Sequence, residues 1–150
     1  METQNKNMES QVKVSINKPF QVVHTAITSQ KGIEGWWATN TTVATEVGGV
    51  SKMKFDKEGM IFDMEFRIDE LKANRILWTC ISNTNPTWVG STISFDLNSN
   101  GNSTEVTFKH YNFDAALTEE GFGMVNQTWG HFISNSLKSY CENGAGQPWN

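Results

Sequence analysis

The stretch 118–140, TEEGFGMVNQTWGHFISNSLKSY, constrains this chain most. Wound at about 100° per residue, it puts Phe122, Val125, Asn126, Trp129, Phe132, Ile133, Ser136, Leu137 and Tyr140 on one face. Met124, Gln127, His131 and Lys138 fall on the other. So broad an aromatic stripe has to be covered. Between residues 41 and 110 nearly every segment alternates with period two, as a half-buried antiparallel sheet does. A long C-terminal helix lying across a curved sheet follows from the two patterns together. Asn126 and Ser136 interrupt the stripe with polar atoms, which marks the space between helix and sheet as a place where a ligand could sit.

With 150 residues the chain forms one domain, large enough to bury a core without staples. Hydrophobic residues at 37% and charged residues at 19% fit neither a membrane protein nor a disordered one. Six Trp and nine Phe make it rich in aromatics, which serve cores, cavities and interfaces alike. The net charge is −4, and the twelve Lys and Arg are spread singly, so nucleic acid is excluded as a partner. No run of about 18 apolar residues is present, so no membrane span is expected. METQNKNMESQ lacks an apolar signal core, which points to a cytoplasmic protein. Cys80 and Cys141 are far apart, and neither makes a metal-like spacing; both read as free thiols. No metal or cofactor is expected.

Residues 1–10 are polar and read as a flexible N-terminus, with a single domain over 11–150. Val12, Val14 and Ile16 alternate with Lys13 and Ser15 as a first strand. Asn17 is placed to cap a helix that has Pro19 in its first turn and runs to about Ser29. GIEGWWA forms a second helical turn. Strands follow at 42–46, 51–55, 60–68, 75–82, 89–97 and 105–110, separated by Gly, Asn and Lys-rich turns. Gly144 stands where helix termination favours glycine. The order is β-α-α-β6-α, an α+β domain with its helices on one face of the sheet.

This order, with IEGWW, RILWTC, TWVGSTISFDL, TEVTFKH and SLKSYCENGAGQPW, resembles the START-like (SRPBCC, or helix-grip) superfamily. The branch it is most similar to is that of the homologues of the heat-shock-protein-90 ATPase activator, over about residues 11–149. The resemblance implies a curved antiparallel sheet wrapped around the long helix, with an apolar cavity between them. It implies no single activity, because the superfamily includes lipid carriers, hormone receptors and polyketide cyclases. The chain corresponds to the START-like part alone, without a further chaperone-binding domain, so chaperone interaction is not expected.

Serine-elbow, phosphate-loop, dinucleotide and paired-His motifs are absent from the sequence. His110 follows Val106 and Phe108 on the inward phase of its strand and could orient a ligand or move a proton. No carboxylate or hydroxyl stands out on its phase, so a strand-end histidine bonded to a backbone carbonyl is the competing reading. Asn126 is the second polar anchor, since an amide on an apolar stripe needs partners. Ser136 can bond the carbonyl four residues back. Trp37, Trp78 and Trp129 could line a pocket with Phe62, Phe66, Ile93 and Phe95, or simply pack as core. Trp88 and Trp149 are either an exposed contact surface or plugs that fold back.

These residues lead to a protein that binds a hydrophobic or aromatic small molecule between sheet and C-terminal helix. His110 and Asn126 supply the polar contacts, and a homodimer is a further candidate. A cyclase- or hydrolase-type enzyme with His110 as general base is the alternative in another class. A chaperone-related interaction module is a third.

Overall fold

A computed structural model describes residues 4–5 and 8–149. Seven antiparallel strands form one sheet: β2 (Ser10–Ile16), β3 (Asn40–Thr42), β4 (Val50–Lys57), β5 (Met60–Leu71), β6 (Arg75–Asn83), β7 (Thr92–Asn100) and β8 (Ser103–Tyr111). Their order is β2-β8-β7-β6-β5-β4-β3, a meander whose first strand closes on the last. Two short strands, β1 (Gln4–Asn5) and β9 (Phe113–Asp114), pair separately. The helices α1 (Phe20–Thr28) and α2 (Gln30–Trp36) fill the connection from β2 to β3. A 3-10 turn, Pro86–Trp88, joins β6 to β7. The chain closes with one continuous helix made of α3 (Glu119–Trp129), a π-helical segment (Gly130–Leu137) and α4 (Lys138–Asn143).

Alternation sets the faces of the sheet. Met64, Phe66 and Ile68 on β5, Ile76, Trp78 and Cys80 on β6, and Val106, Phe108 and His110 on β8 are all buried beneath the helix. Register shifts between Glu65 and Phe66 and between Ile68 and Glu70 interrupt the β5–β6 ladder. Such bulges bend and twist a strand, giving the sheet the curvature it needs to grip a helix. The result is the α+β helix-grip architecture.

The long helix starts where Thr118 Oγ1 accepts the Gly121 N–H (3.0 Å), with Glu119 and Glu120 in the positive first turn. It ends at Gly144, whose φ of 83° suits glycine. Its buried seam is Val125, Trp129, Phe132, Ile133, Ser136, Leu137 and Cys141. The repeat 125-129-133-137-141 steps by four, and in a straight α-helix each such step drifts by about 40°. The wider winding of Gly130–Leu137 takes up that drift and holds the seam on the sheet. Each fully buried apolar side chain here contributes roughly 1.5–3 kcal/mol, so docking of this helix dominates the stability of the fold.

Several local expectations are corrected. Asn126 is exposed, because only Val125 and Trp129 of α3 are buried and the seam there is too narrow to include it. At the other end the π winding turns Cys141 inward and leaves Tyr140 half-buried. The N-cap position of α1 is Pro19, with no side-chain capping bond, and not Asn17; the Asn17 N–H instead donates to Glu142 Oε2 at 2.7 Å, tying the chain just after β2 to the last helical turn. The strand expected at 42–46 is Asn40–Thr42, and β7 begins at Thr92 because Val89–Ser91 still belong to the loop. Of the N-terminal segment 1–10, Gln4–Asn5 pair with Phe113–Asp114, and Ser10 is the first residue of β2. The remainder of that segment, up to residue 7, lies outside the described residues.

Candidate functional site

The space under the long helix is occupied by rings. Trp129 is fully buried, with ring centroids 4.5 Å from Phe108, 5.3 Å from Trp37 and 6.0 Å from Trp88. Trp37 in turn stacks on Trp78 at 6.2 Å and meets Phe66 at 5.7 Å, while Phe95 sits edge-on to Trp78 at 5.2 Å. The layer is continuous, and its tilted and edge-to-face pairs are the arrangements aromatic quadrupoles favour. Trp129 therefore fills the gap beneath the helix.

His110 is fully buried behind this layer, and both of its ring nitrogens are engaged. The Trp129 indole N–H donates to Nδ1 at 3.0 Å. Indole is a donor only, so Nδ1 must be the unprotonated nitrogen and Nε2 carries the hydrogen. Nε2–H then donates to Ser91 Oγ at 2.8 Å, and the Ser91 hydroxyl donates to the Trp88 carbonyl at 2.5 Å. Every donor in this chain has an acceptor. Burial holds the imidazole neutral, with its pKa pushed down to about 3. A general base needs a free lone pair, and here Trp129 occupies it. The group is a structural clamp between β8, the Trp88 turn and the helix.

Open space lies at one end of the grip. A cleft of about 330 Å³ has a floor of Trp37, Phe55, Phe62 and Met64, where Phe55 and Phe62 face each other across β4 and β5. Asn83, Asn85 and Trp88 form one wall; Gly121, Met124, Val125 and Thr128 of α3 form the other. Trp149 closes the end. Its placement follows from the C-terminal tail, which is stitched to the body: Ser136 Oγ donates to the Trp36 carbonyl at 2.6 Å and accepts the Gln147 N–H at 2.7 Å. The Trp149 N–H donates to the Trp37 carbonyl at 2.8 Å, and the Trp149 ring meets Phe132 at 5.0 Å and Phe55 at 5.6 Å. Ser136 thus bonds outward from the helix instead of to its own backbone.

Comparison with known proteins places this geometry. The family model described as "Activator of Hsp90 ATPase homolog 1-like protein" matches residues 17–142, most of the chain. The chain belongs to this family. It is accordingly an AHSA1-family member of the SRPBCC, or START-like, fold. The solution structure of the Aha1 dimer from Colwellia psychrerythraea is 27% identical, with a TM-score of 0.74 over 92% of this chain and 98% of that one. Protein SSP2350 from Staphylococcus saprophyticus is 20% identical, with a TM-score of 0.72 over 93% and 96% of the two chains. DynU16, a putative protein of the dynemicin biosynthetic locus, is 16% identical with a TM-score of 0.73; the match covers 93% of this chain and 49% of that one. The last two show the fold alone. No curated protein sequence matches.

Within this AHSA1-family fold, the residues expected at a pocket separate into three groups. Trp37 and Phe62 line the cleft. Phe66, Trp78, Ile93, Phe95, Trp129 and His110 are packed together in the core. Asn126 lies exposed, outside the cleft lining. Met124 reaches the cleft from the helix edge, although the straight projection turned it outward. Ser91 is the hydroxyl partner of His110 that sequence reading overlooked; it shares the alternation of Ile93, the residue facing His110 across β7 and β8. Trp88 is buried, and Trp149 is half-buried with its ring packed on Phe55 and Phe132. Among the described residues no helix is long and apolar enough to cross a membrane, and no cluster of His, Cys, Asp and Glu could hold a metal.

Proposed function

We propose that this protein binds a hydrophobic or aromatic small molecule in the cleft between the β4–β5 end of the sheet and α3. The observation that carries the reading is the cleft itself: about 330 Å³, floored by aromatic rings and methionine, at the small end of the range for ligand sites. The site sits at the end of the grip, since the centre is packed. The His110 arrangement supports binding over catalysis, because its lone pair is taken by Trp129.

Native mass spectrometry and thermal-shift screening against neutral lipids and aromatic compounds test the proposal. Met124 is 63% exposed at the cleft edge, so Met124→Glu should retain the fold and abolish binding of any hit. Hits that bind the glutamate variant as tightly as the parent would place the ligand elsewhere. The likeness to a dimeric relative supports a homodimer as well. Light scattering on the purified chain decides that point.

A further inference from the structure

The tryptophans of the cleft have a hydrogen-bonding peculiarity that defines the ligand further. Buried indole N–H groups normally find an acceptor, as Trp36 does on the Ala26 carbonyl (2.8 Å) and Trp129 does on His110 (3.0 Å). Trp37 and Trp88 are 2% and 8% exposed and both line the cleft; neither indole N–H bonds to any described residue, and neither is among the fully buried unpaired atoms, so each keeps contact with solvent. The neighbouring amides do not help them. Asn83 Oδ1 accepts the Asn85 N–H (2.7 Å), and Asn85 Oδ1 accepts both the N–H (3.1 Å) and hydroxyl (2.7 Å) of Thr87. The acceptor capacity of the wall is therefore turned into its own loop, while donors are left over. None of the residues lining the cleft is charged.

An apolar, uncharged site with surplus donors selects its complement. We infer that the ligand is a neutral hydrophobic molecule carrying a carbonyl-type oxygen, which accepts the indole N–H of Trp37 or Trp88 while its apolar body lies on Phe55 and Phe62. This rests on the cleft-binding reading and adds the functional group to it. An anionic ligand would find no counter-charge in the lining, and a pure hydrocarbon would take water from both N–H groups without supplying an acceptor.

A matched pair of probes, 2-acetylnaphthalene and 2-ethylnaphthalene, tests the inference by ¹H–¹⁵N NMR titration of the whole protein. With the ketone, an indole N–H resonance of Trp37 or Trp88 should move downfield; with the hydrocarbon, neither should. Replacing the tryptophan that responds by phenylalanine should weaken ketone binding about fivefold and leave hydrocarbon binding unchanged. Trp78→Phe is the control, since its indole N–H also lacks a described partner but lies outside the cleft lining; it should leave both affinities as they are. If both probes bind the cleft and neither indole resonance distinguishes them, the carbonyl inference is overturned while cleft binding stands. If neither probe binds up to its solubility, both readings fall. The wild-type titration alone decides the matter should a phenylalanine variant fail to fold.

Discussion

The indole N–H of Trp129 donates to Nδ1 of His110 over 3.0 Å, and this contact selects the tautomer and charge of a fully buried imidazole. A proton on Nδ1 would set two donors against each other. The two side chains come from the long helix and from β8, so the same bond links the helix to the strand beneath it.

Acid stability should carry the mark of this bond. Above pH about 6.5 the imidazole is neutral in folded and unfolded chains alike, and it contributes no slope. As pH falls from there toward about 3, the unfolded chain takes up a proton that the folded one refuses, so stability is lost at up to about 1.4 kcal/mol per pH unit. His110→Gln supplies an acceptor and a donor without titrating. Urea unfolding of the two proteins across pH 3–8 should give curves that converge in acid; parallel curves would refute the assignment.

Ser91→Ala removes the acceptor of His110 Nε2–H and one donor to the Trp88 carbonyl. Leaving a buried N–H unpaired costs about 1–3 kcal/mol, and that is the loss expected in chemical denaturation. Ser91→Cys, keeping a weak partner, should lose less.

Gly35 meets the long helix so closely that a Cβ there would lie 2.2 Å from Cε1 of Tyr140. Gly35→Ala should destabilise by about 1–3 kcal/mol through overpacking. In a Tyr140→Ala background the same change should cost much less, and a double-mutant cycle measures the difference. Additive effects would show that α2 and the helix tolerate separation.

Ser136→Ala breaks both the bond to the Trp36 carbonyl and the one from the Gln147 N–H. A loss of about 1–3 kcal/mol is expected. Hydrogen exchange at Gln147 and Trp149 should accelerate in this variant, because Ser136 helps hold the tail over the cleft. Unchanged exchange would mean that Trp149 anchors itself through Phe55 and Phe132.

The element order and the faces of most strands are legible in the sequence because alternation survives wherever one face is covered. Met64, Phe66, Ile68, Val106 and Phe108 all point where period two puts them. The candidate site is less legible, and the reason is geometric. Projecting 118–140 onto an ideal helix assumes constant winding, whereas Gly130–Leu137 winds more widely; this is why Cys141 replaces Tyr140 on the seam. Asn126 fails for a related reason, since a stripe that is broad overall is narrow along α3. Trp37 and Phe62 line the cleft, but nothing local in the sequence separates them from Phe66 or Phe95, which are core. Trp149 reaches the cleft through a tail whose path is set by Ser136, a contact between residues of three separate segments. Ser91 was the reachable omission: the alternation of β7 and the hairpin to β8 together bring it to His110.

The π-helical segment has a consequence for what changes of length the helix can accept. A ladder of i→i+5 bonds encloses one residue more than a ladder of i→i+4 bonds. Removing a single residue between Gly130 and Leu137 can therefore be absorbed by tightening the turns to ordinary α geometry, leaving the anchoring of α3 and α4 close to where it was. An equal deletion within Glu119–Trp129 has no such slack and would turn Trp129 about 100° away from His110. The wide turns make the middle of the grip the one stretch where this helix can be shortened without losing its hold on the sheet.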